Sequence, residues 1–220
     1  MLENAASVKN LTRGERTRQR IRDSVERLLE EESQSELAIS RICKTAEVAV
    51  GGFYFHYKNK EQVVAEIFSR HFARLWKDLA VAIHYKDLYQ SVHYANDVLT
   101  RTVSQSPGLS RYYNQRAAAD RSLVTMWEDS LTDWAEKLAD KLAQNPLINV
   151  SVPSVIFFEI FTLFNYSDSL LSQVFVEKDE KLSGFASNPA KLTEFLAVIW
   201  FRALTGHDPD PNRLAFLTNH

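Results

Sequence analysis

A run of glycine, aromatic and basic residues between positions 50 and 61 holds the residue types best suited to binding chemistry. It reads Val-Gly-Gly-Phe-Tyr-Phe-His-Tyr-Lys-Asn-Lys-Glu. Phe53 and Tyr57 are four residues apart, so a helix would place them on one face, where they are predicted to pack in a core. Tyr54 and Phe55 must then point elsewhere, because four consecutive aromatic side chains cannot all face one core. Exposed rings beside basic side chains could contact the bases and phosphates of nucleic acid.

The two glycines that precede the aromatic run support this interpretation. Gly51 and Gly52 lack side chains, so the backbone could approach a partner closely. Inside a helix each glycine costs roughly 1 kcal/mol relative to alanine, which makes the pair a poor choice for a purely structural helix. The alternative is that Tyr54, Phe55 and His56 are simply core residues.

Three short helices are predicted to position this run. Thr12-x-x-Glu15 is a capping box that opens a helix from about Gly14 to Glu32, followed by a polar break. Apolar residues at helical spacing predict a second helix, and they are Ile39, Ile42, Cys43 and Ala46. The third helix is predicted over Val50 to Tyr57. A tight connection at 47–49 makes the second and third helices fit a helix-turn-helix unit, although a three-helix unit need not bind DNA.

The rest of the sequence also predicts helices. Their approximate bounds are 59–83, 87–104, 109–118, 122–142, 153–176 and 188–205, with Pro107-Gly108 and Gly206 as stops and 177–187 as a polar loop. Strand-like alternation and internal repeats are not found. The predicted fold class is therefore all-α, with a helix-turn-helix DNA-binding domain at residues 1–60 and a larger helical domain for effector binding and dimerisation at 61–220.

Composition and charge narrow the class of protein. The chain has 220 residues, of which 45% are hydrophobic and 25% charged, and its net charge is −2. Residues 1–22 hold six basic and two acidic side chains, whereas residues 61–220 hold 15 basic and 19 acidic ones, which indicates a local polyanion contact. The single cysteine, Cys43, excludes an internal disulfide framework and a multi-cysteine zinc site. The sequence has no signal peptide and no apolar run of the roughly 18 residues that a membrane span needs, so a cytoplasmic protein without membrane contact is expected.

The stretch from Ile42 to Glu61 resembles the DNA-binding signature of the tetracycline-repressor (TetR) family of bacterial regulators. That signature has Ile-Ala in the second helix and Ala-Gly-Val in the turn. A glycine or proline, a small polar residue, Leu/Phe-Tyr-x-His-Phe and Lys-x-Lys-Glu follow. The match is strongest over Gly51 to Glu61, and the motif resemblance covers about residues 12–72. It implies a homodimer that binds a near-palindromic double-stranded operator.

On this resemblance, DNA contacts are expected from the second and third helices and the start of the fourth. Tyr54 and Phe55 would face the major groove, while His56 and Lys60 would contact phosphate. The full predicted set is Ser40, Arg41, Lys44, Val50, Gly51, Gly52, Tyr54, Phe55, His56 and Lys60. Each arginine between positions 13 and 22 either touches phosphate or lies on a solvated face.

The sequence also departs from the family pattern. Glu47 occupies the place of the usual turn glycine, and Ala38 that of the threonine that caps the second helix. Ala49 and Val50 open the third helix where polar or basic residues are frequent. These departures leave the operator sequence and the affinity undetermined, and Ser40, Arg41, Lys44 or the amino-terminal arginines could compensate.

The carboxy-terminal body holds 21 of the 25 aromatic residues, most of which are expected in the core. The resemblance implies a ligand cavity there, and its predicted lining is Trp76, Tyr89, Tyr113, Trp127 and Phe161. Large rings and few charges favour an apolar or aromatic effector, with an anionic headgroup near Arg111, Arg116 and Arg121 as the alternative. The family's last two helices form the dimer interface, for which Phe195, Ile199 and Phe201 are predicted. No cofactor or metal is expected, because His71, His84 and His93 do not form a ligand set.

The sequence therefore favours a homodimeric transcriptional regulator, a repressor that a small molecule releases from DNA. One alternative is a TetR-like DNA-binding protein without an effector, for example in chromosome organisation. The other is a helical enzyme, against which stands the lack of a nucleophile elbow, a phosphate loop, metal-ligand spacing or paired carboxylates.

Overall fold

The computed structural model describes residues 12–31, 37–116 and 120–217, and every regular element within them is a helix. In chain order the α-helices are α1 (Arg13–Glu30), α2 (Ile39–Ala46), α3 (Val50–His56), α4 (Lys60–Ala82), α5 (Leu88–Gln105), α6 (Pro107–Arg116), α7 (Arg121–Leu142), α8 (Pro153–Phe175), α9 (Ser183–Ala186) and α10 (Pro189–Thr205). Short 3-10 helices cover Glu180–Leu182 and Pro211–Arg213. The predicted all-α fold class is confirmed.

The chain divides into two compact units, Met1–His71 and Phe72–His220. The long helix α4 contributes residues to both. In the first unit, helices α1 to α3 pack around a small apolar core. Its fully buried members include Ile21, Val25, Ile42, Phe53 and Tyr57. The burial of Phe53 and Tyr57 agrees with their predicted spacing.

Local signals in the sequence set the ends of α1 and α2. The hydroxyl of Thr12 accepts the N–H of Glu15 at 3.3 Å, and the Glu15 carboxylate accepts the N–H of Thr12 at 2.7 Å, so the predicted capping box is present. Helix α2 ends at Glu47, whose backbone is left-handed with φ 51° and ψ 48°. The residue in place of the usual glycine thus adopts the geometry that glycine would have.

The second unit has its own core, in which α10 packs along α5 and α8 packs along α7. Buried polar atoms in this core are joined in a chain of hydrogen bonds. The indole Nε1 of Trp200 donates to Ser167 Oγ at 2.9 Å, and Ser167 Oγ lies 3.3 Å from Asn96 Oδ1. Satisfying these groups is what permits their burial, because an unpaired buried polar atom is costly.

Four predicted boundaries need correction or fall outside the described residues. Pro107 is the first residue of α6 and does not merely end α5, because a proline at the first helical position lacks only a donor that is unused there. The segment 177–187 is not wholly a loop, since the carboxylate of Asp179 accepts the N–H of Lys181 and caps a 3-10 turn that leads into α9. The predicted ends of the first helix at 32 and of the sixth at 118 lie outside the described residues.

The segment after α10 is fastened back onto the second unit. Gly206 ends α10 in a left-handed conformation with φ 77°. The buried carboxylate of Glu194 then accepts three backbone N–H groups, those of Ala215, Phe216 and Leu217. None of the described helices is long and apolar enough to cross a membrane.

Candidate functional site

Helix α3 divides its aromatic side chains between the core and the solvent. Phe53 and Tyr57 are fully buried, whereas Tyr54 is 55% exposed and Phe55 84% exposed. The predicted split is therefore confirmed, and the alternative of a core role is wrong for Tyr54 and Phe55. His56 lies half-buried at the end of the helix, with its ring 5.0 Å from that of Phe55. Tyr54 keeps an edge-to-face contact with Phe53, at 5.5 Å between ring centres, but more than half of each of the two outer side chains is exposed to solvent.

The glycines of α3 have no packing role inside the first unit. A Cβ atom placed on Gly51 would meet no atom within 4 Å, and one on Gly52 would meet only the Cβ of Val48, at 4.0 Å. Close approach by another part of this unit therefore does not explain either residue. The space that the missing side chains leave is on the outside of the helix, where a partner's backbone could approach.

The turn between α2 and α3 is held by an arginine that sequence reasoning missed. The guanidinium of Arg20 donates to the carbonyl oxygens of Ala46 and Glu47, the latter at 2.9 Å, and lies 3.4 Å from the Glu47 carboxylate. A left-handed conformation costs a residue with a side chain roughly 1–2 kcal/mol. Arg20 offsets part of that cost by satisfying the exposed carbonyl groups, so the departure at Glu47 leaves the turn intact. The sequence carried no signal for this contact, which joins residues far apart in the chain.

Two other arginines of α1 are committed to contacts within the first unit. The Glu66 carboxylate pairs with Arg18 at 2.6 Å and with Arg22 at 2.8 Å. Arg18 also lies with its guanidinium carbon 5.2 Å from the centre of the Tyr57 ring. Although burial acts to raise it, hydrogen bonds from Arg18 and Tyr57 and the charge of Arg22 hold the pKa of Glu66 below its usual value. Arg18 and Arg22 therefore fasten α1 to α4, so much of the amino-terminal positive charge serves the fold.

The predicted DNA-contacting residues lie on α2, on α3 and at the first residue of α4, and all ten remain at least partly exposed. Among the residues of α2, Arg41 forms an ion pair with Glu31, while Ser40 and Lys44 are exposed. The N-cap residue Ala38 supplies no side-chain hydrogen bond. Lys60 opens α4, where free backbone N–H groups and the helix dipole favour a nearby anion.

In the second unit, three of the five predicted ligand residues come together in one group of rings. Trp76, Tyr113 and Trp127 meet with ring centres 5.4 Å apart for Trp76–Trp127 and 5.8 Å apart for Tyr113–Trp127. Further rings complete what we call the aromatic cluster, which consists of Phe72, Trp76, Tyr113, Trp127, Trp134 and Phe164. Helices α4, α6, α7 and α8 supply these rings. The indole Nε1 of Trp76 is buried there without a hydrogen-bond partner in the described chain.

A carboxylate stands beside the aromatic cluster, and sequence reasoning did not single it out. Asp168 follows Phe164 by four residues on α8, so the two share one face of the helix. Burial raises the pKa of Asp168 to about 6. Burial also raises the pKa of Tyr113 to about 12, and the negative charges of Asp168 and Glu128 add to that shift. The tyrosine thus lies within electrostatic reach of two acidic groups.

The other two predicted ligand residues are not among the rings of this cluster. Tyr89 packs its ring 5.9 Å from that of Phe201 and has the guanidinium of Arg213 at 5.0 Å from its ring centre. It borders a surface groove of about 540 Å³ whose other lining residues are Tyr85, Gln90, His93, Tyr94, Asp97 and Arg213. The ring of Phe161 lies 6.0 Å from that of Phe157. The rings named from the sequence therefore do not form a single set.

The predicted dimer-interface residues also divide between two faces of α10. Phe201 is buried against Tyr89 inside the unit, whereas Phe195 and Ile199 are half-buried. Exposed apolar side chains occur on the neighbouring helix α8, where Phe158 is 64% exposed. Val155 and Tyr166 on the same helix are exposed as well.

Comparison with known proteins gives these features a context. A family model described as bacterial regulatory proteins of the tetR family matches residues 21–67. A TetR-like transcriptional regulator from Rhodococcus sp. RHA1 is 18% identical, with a TM-score of 0.63, over 90% of this chain and 100% of that one. No curated protein sequence matches the chain significantly.

Two further solved structures share the fold. A TetR family transcription regulator from Marinobacter aquaeolei VT8 is 18% identical with a TM-score of 0.64, over 90% of this chain and 98% of that one. SmeT, the repressor of the Stenotrophomonas maltophilia multidrug efflux pump SmeDEF, is 16% identical with a TM-score of 0.61, over 88% and 96% of the two chains. At such identities the likeness establishes the fold.

The family match and the fold agree with the geometry of the first unit. The matched segment 21–67 contains α2, α3 and the turn between them at Glu47, whose carbonyl oxygen accepts a hydrogen bond from Arg20. It also contains both exposed rings of α3. The resemblance seen in the sequence is confirmed by the family match over residues 21–67, and the chain has the fold of solved TetR-family transcriptional regulators.

Proposed function

We propose that the protein is a homodimeric, sequence-specific repressor that a small molecule releases from its operator. The observation that carries the DNA-binding part is the outer face of α3, where Tyr54 and Phe55 are exposed beside Gly51 and Gly52. Rings that remain mostly exposed, next to glycines that no packing demands, suit a surface made for a macromolecular partner.

Helix α3 is the element that we place in the major groove. A phenylalanine ring such as that of Phe55 can contact the methyl group of thymine, and the hydroxyl of Tyr54 can reach a base edge or a phosphate. Lys44 and Lys60 supply positive charge on either side, for the phosphates. Val50 adds an apolar side chain at the start of the helix, which favours contact with methyl groups over hydrogen bonding.

The dimer part of the proposal rests on α8 and α10. Val155, Phe158 and Tyr166 leave apolar surface exposed on α8, and Phe195 and Ile199 are half-buried on α10. Burying such surface against a second copy would remove it from water. A two-fold dimer places its two recognition helices about 34–36 Å apart, or slightly more, and requires a near-palindromic operator.

The effector part of the proposal rests on the aromatic cluster. The buried and unpartnered Trp76 Nε1 suits a cavity that a ligand enters, because a closed core would leave that donor unsatisfied at a cost. Helix α4 carries Phe72 and Trp76 and also carries Lys60. A ligand that favours one conformer of α4 would shift the population away from the DNA-binding form. A 100-fold loss of operator affinity needs about 2.7 kcal/mol of coupling, which is within the usual range.

Operator binding by purified protein tests the proposal. Genomic fragments are selected for binding, and the affinity for the selected site is measured by fluorescence anisotropy with and without candidate hydrophobic compounds. We expect a near-palindromic site, loss of binding in Tyr54→Ala, and unchanged binding in Tyr85→Ala, a tyrosine of the other unit. A protein that selects no sequence would contradict the DNA-binding proposal. Binding that no compound releases would instead favour a DNA-binding protein without an effector.

A further inference from the structure

We propose that helix α3 recognises its operator through the methyl groups of thymine, which Val50 and Phe55 contact in the major groove. This inference rests on the proposed DNA-binding function and names the chemical feature of DNA that gives the protein its sequence preference. It follows from two properties of α3, the composition of the helix and the exposure of its side chains.

Helix α3 lacks the side chains that most often read bases by hydrogen bonding. Its seven residues include no arginine, lysine, asparagine, glutamine, aspartate or glutamate. Those residue types form the favoured hydrogen-bonded contacts to guanine, adenine and cytosine in the major groove. Among the residues of α3, only Tyr54 and His56 have side chains that can form hydrogen bonds. A recognition helix of this composition must obtain most of its sequence preference from apolar contacts.

His56 is poorly placed to add a base contact. It is the last residue of α3 and is half-buried. A Cβ atom on Gly14 would lie 3.7 Å from the Cε1 of His56, so the histidine ring lies beside the first turn of α1. Tyr54 therefore supplies the hydrogen-bonding group on the exposed side of α3. One hydroxyl group distinguishes bases weakly, because it can both donate and accept.

The exposed side of α3 is mainly apolar. Val50 is 51% exposed and Phe55 is 84% exposed. Val50 and Tyr54 are four residues apart, as are Gly51 and Phe55, so the two pairs form neighbouring rows on the helix surface. Because a Cβ atom on Gly51 would meet no other atom within 4 Å, this surface has room for a group of the size of a methyl group.

Thymine is the base that such a surface fits. In the major groove, thymine alone among the four bases presents a methyl group. Contact with Val50 or Phe55 would remove both the methyl group and the side chain from water, which is favourable. Cytosine in the same place would present an amino group, and apolar side chains would leave that donor unpaired at a cost. The surface therefore favours thymine and also disfavours cytosine.

The lysines near α3 have a separate role in this proposal. Lys44 on α2 and Lys58 directly after α3 are both exposed and positively charged. Their charge complements the phosphates of DNA, and contacts to phosphate are independent of the base sequence. Affinity for any DNA would thus depend on the lysines, and the choice of sequence on Val50 and Phe55.

Replacement of thymine by deoxyuridine tests the inference, because it removes the methyl group and keeps every hydrogen-bonding group. The probe is the operator duplex that the full-length protein selects from genomic fragments, with deoxyuridine at one symmetry-related pair of thymines at a time. At one or two such pairs we expect binding about 10- to 25-fold weaker, since each methyl group should contribute about three- to fivefold. Deoxyuridine outside the half-sites should change the affinity less than about twofold.

Alanine variants identify the side chain that contacts each methyl group. At the thymines that Phe55 contacts, Phe55→Ala should bind the thymine and deoxyuridine duplexes with equal affinity, and Val50→Ala should do so at its own thymines. Both side chains are exposed, so thermal unfolding of the variants should match that of the wild type. Val81→Ala removes an exposed valine of the second unit and is the matched control, which should keep the full sensitivity to deoxyuridine.

Three results would each overturn the inference. They are less than about twofold weakening at every thymine, a selected operator whose half-sites contain no thymine, and a deoxyuridine effect of the same size in the wild type and both alanine variants. The proposed function fails in a different way, because a wild-type protein that selects no DNA sequence overturns both proposals. A protein that selects an operator but is insensitive to its methyl groups remains a DNA-binding regulator and loses only this mode of recognition.

Discussion

The two units use aromatic residues in opposite ways. In the first unit, α3 turns Phe53 and Tyr57 inward and leaves Tyr54 and Phe55 in solvent. In the second unit, the rings of the aromatic cluster pack against one another. The unusual group there is a polar one, the indole Nε1 of Trp76, which is buried without a hydrogen-bond partner in the described chain. A surface site is thus recognised by apolar groups that remain outside, and an interior site by polar groups that remain unpaired inside.

The largest expected effect concerns the proposed dimer, because two recognition helices on one operator require two copies of the chain. Phe158→Glu places a charge on the exposed apolar face of α8 and should dissociate the dimer. Operator affinity should then fall by more than about 100-fold, because a monomer contacts the phosphates and bases of only one half of the operator. Sedimentation at micromolar concentration measures the dissociation. Val81→Glu, at another exposed apolar position, is the control and should remain dimeric. A dimeric Phe158→Glu protein would place the interface elsewhere.

The next effect tests whether the exposed rings read DNA. Tyr54→Ala should weaken operator binding by about 1–3 kcal/mol, which is the usual range for a base contact. Its helix content and thermal stability should stay close to those of the wild type, because the side chain is exposed. Circular dichroism and anisotropy provide the two measurements. If the substitution unfolds the first unit, the side chain is structural and the contrast between the two units disappears.

The third effect concerns the loss of folding stability caused by the partly buried carboxylate of Asp168. With its pKa at about 6 in the folded state against an ordinary 3.8, Asp168 binds its proton more tightly when folded. Stability should therefore fall as the pH rises from about 4 to 6 and carry a constant penalty above that. Asp168→Asn removes this penalty and should be more stable than the wild type by about 1–2 kcal/mol at pH 7.5, and equally stable near pH 3.5. Urea unfolding at both pH values measures the difference. A variant that is less stable at pH 7.5 would mean that the carboxylate has a partner.

The smallest effect separates folding from binding at one glycine. Gly51→Ala should stabilise the first unit by about 0.5–1 kcal/mol, because the added methyl group meets no other atom. The same substitution should weaken operator binding, since the methyl group occupies the space left for DNA. Gly184→Ala on α9 is a matched control, because its Cβ would likewise meet nothing within 4 Å. That control should leave operator binding unchanged, and a Gly51→Ala protein with full affinity would show that α3 is not closely approached.

Local patterns were sufficient for much of the fold and for the DNA-contacting helix. The capping box at Thr12 and the split of rings on α3 follow from contacts between near neighbours in sequence, and both are present. The family motif also lies within one short stretch. Such features need no knowledge of how distant segments pack.

Features that depend on packing between distant segments were not predictable in this way. Helix α10 is apolar on most of its surface, so periodicity could not tell that Phe201 turns inward against Tyr89. The supply of aromatic rings could not tell that Tyr89 lies apart from the aromatic cluster. The role of Arg20 depends on where the turn at Glu47 falls, because the two residues are far apart in the sequence.

The clamp formed by Glu194 has a consequence for how the end of this chain can vary. Its carboxylate recognises the backbone N–H groups of Ala215, Phe216 and Leu217, and any residue except proline offers the same donor. The exposed side chains of Ala215 and Phe216 should therefore tolerate substitution by any residue except proline, whereas Leu217 also packs against the core and should not. Substitution of Glu194 itself should be the least tolerated, because it removes the acceptor for all three N–H groups.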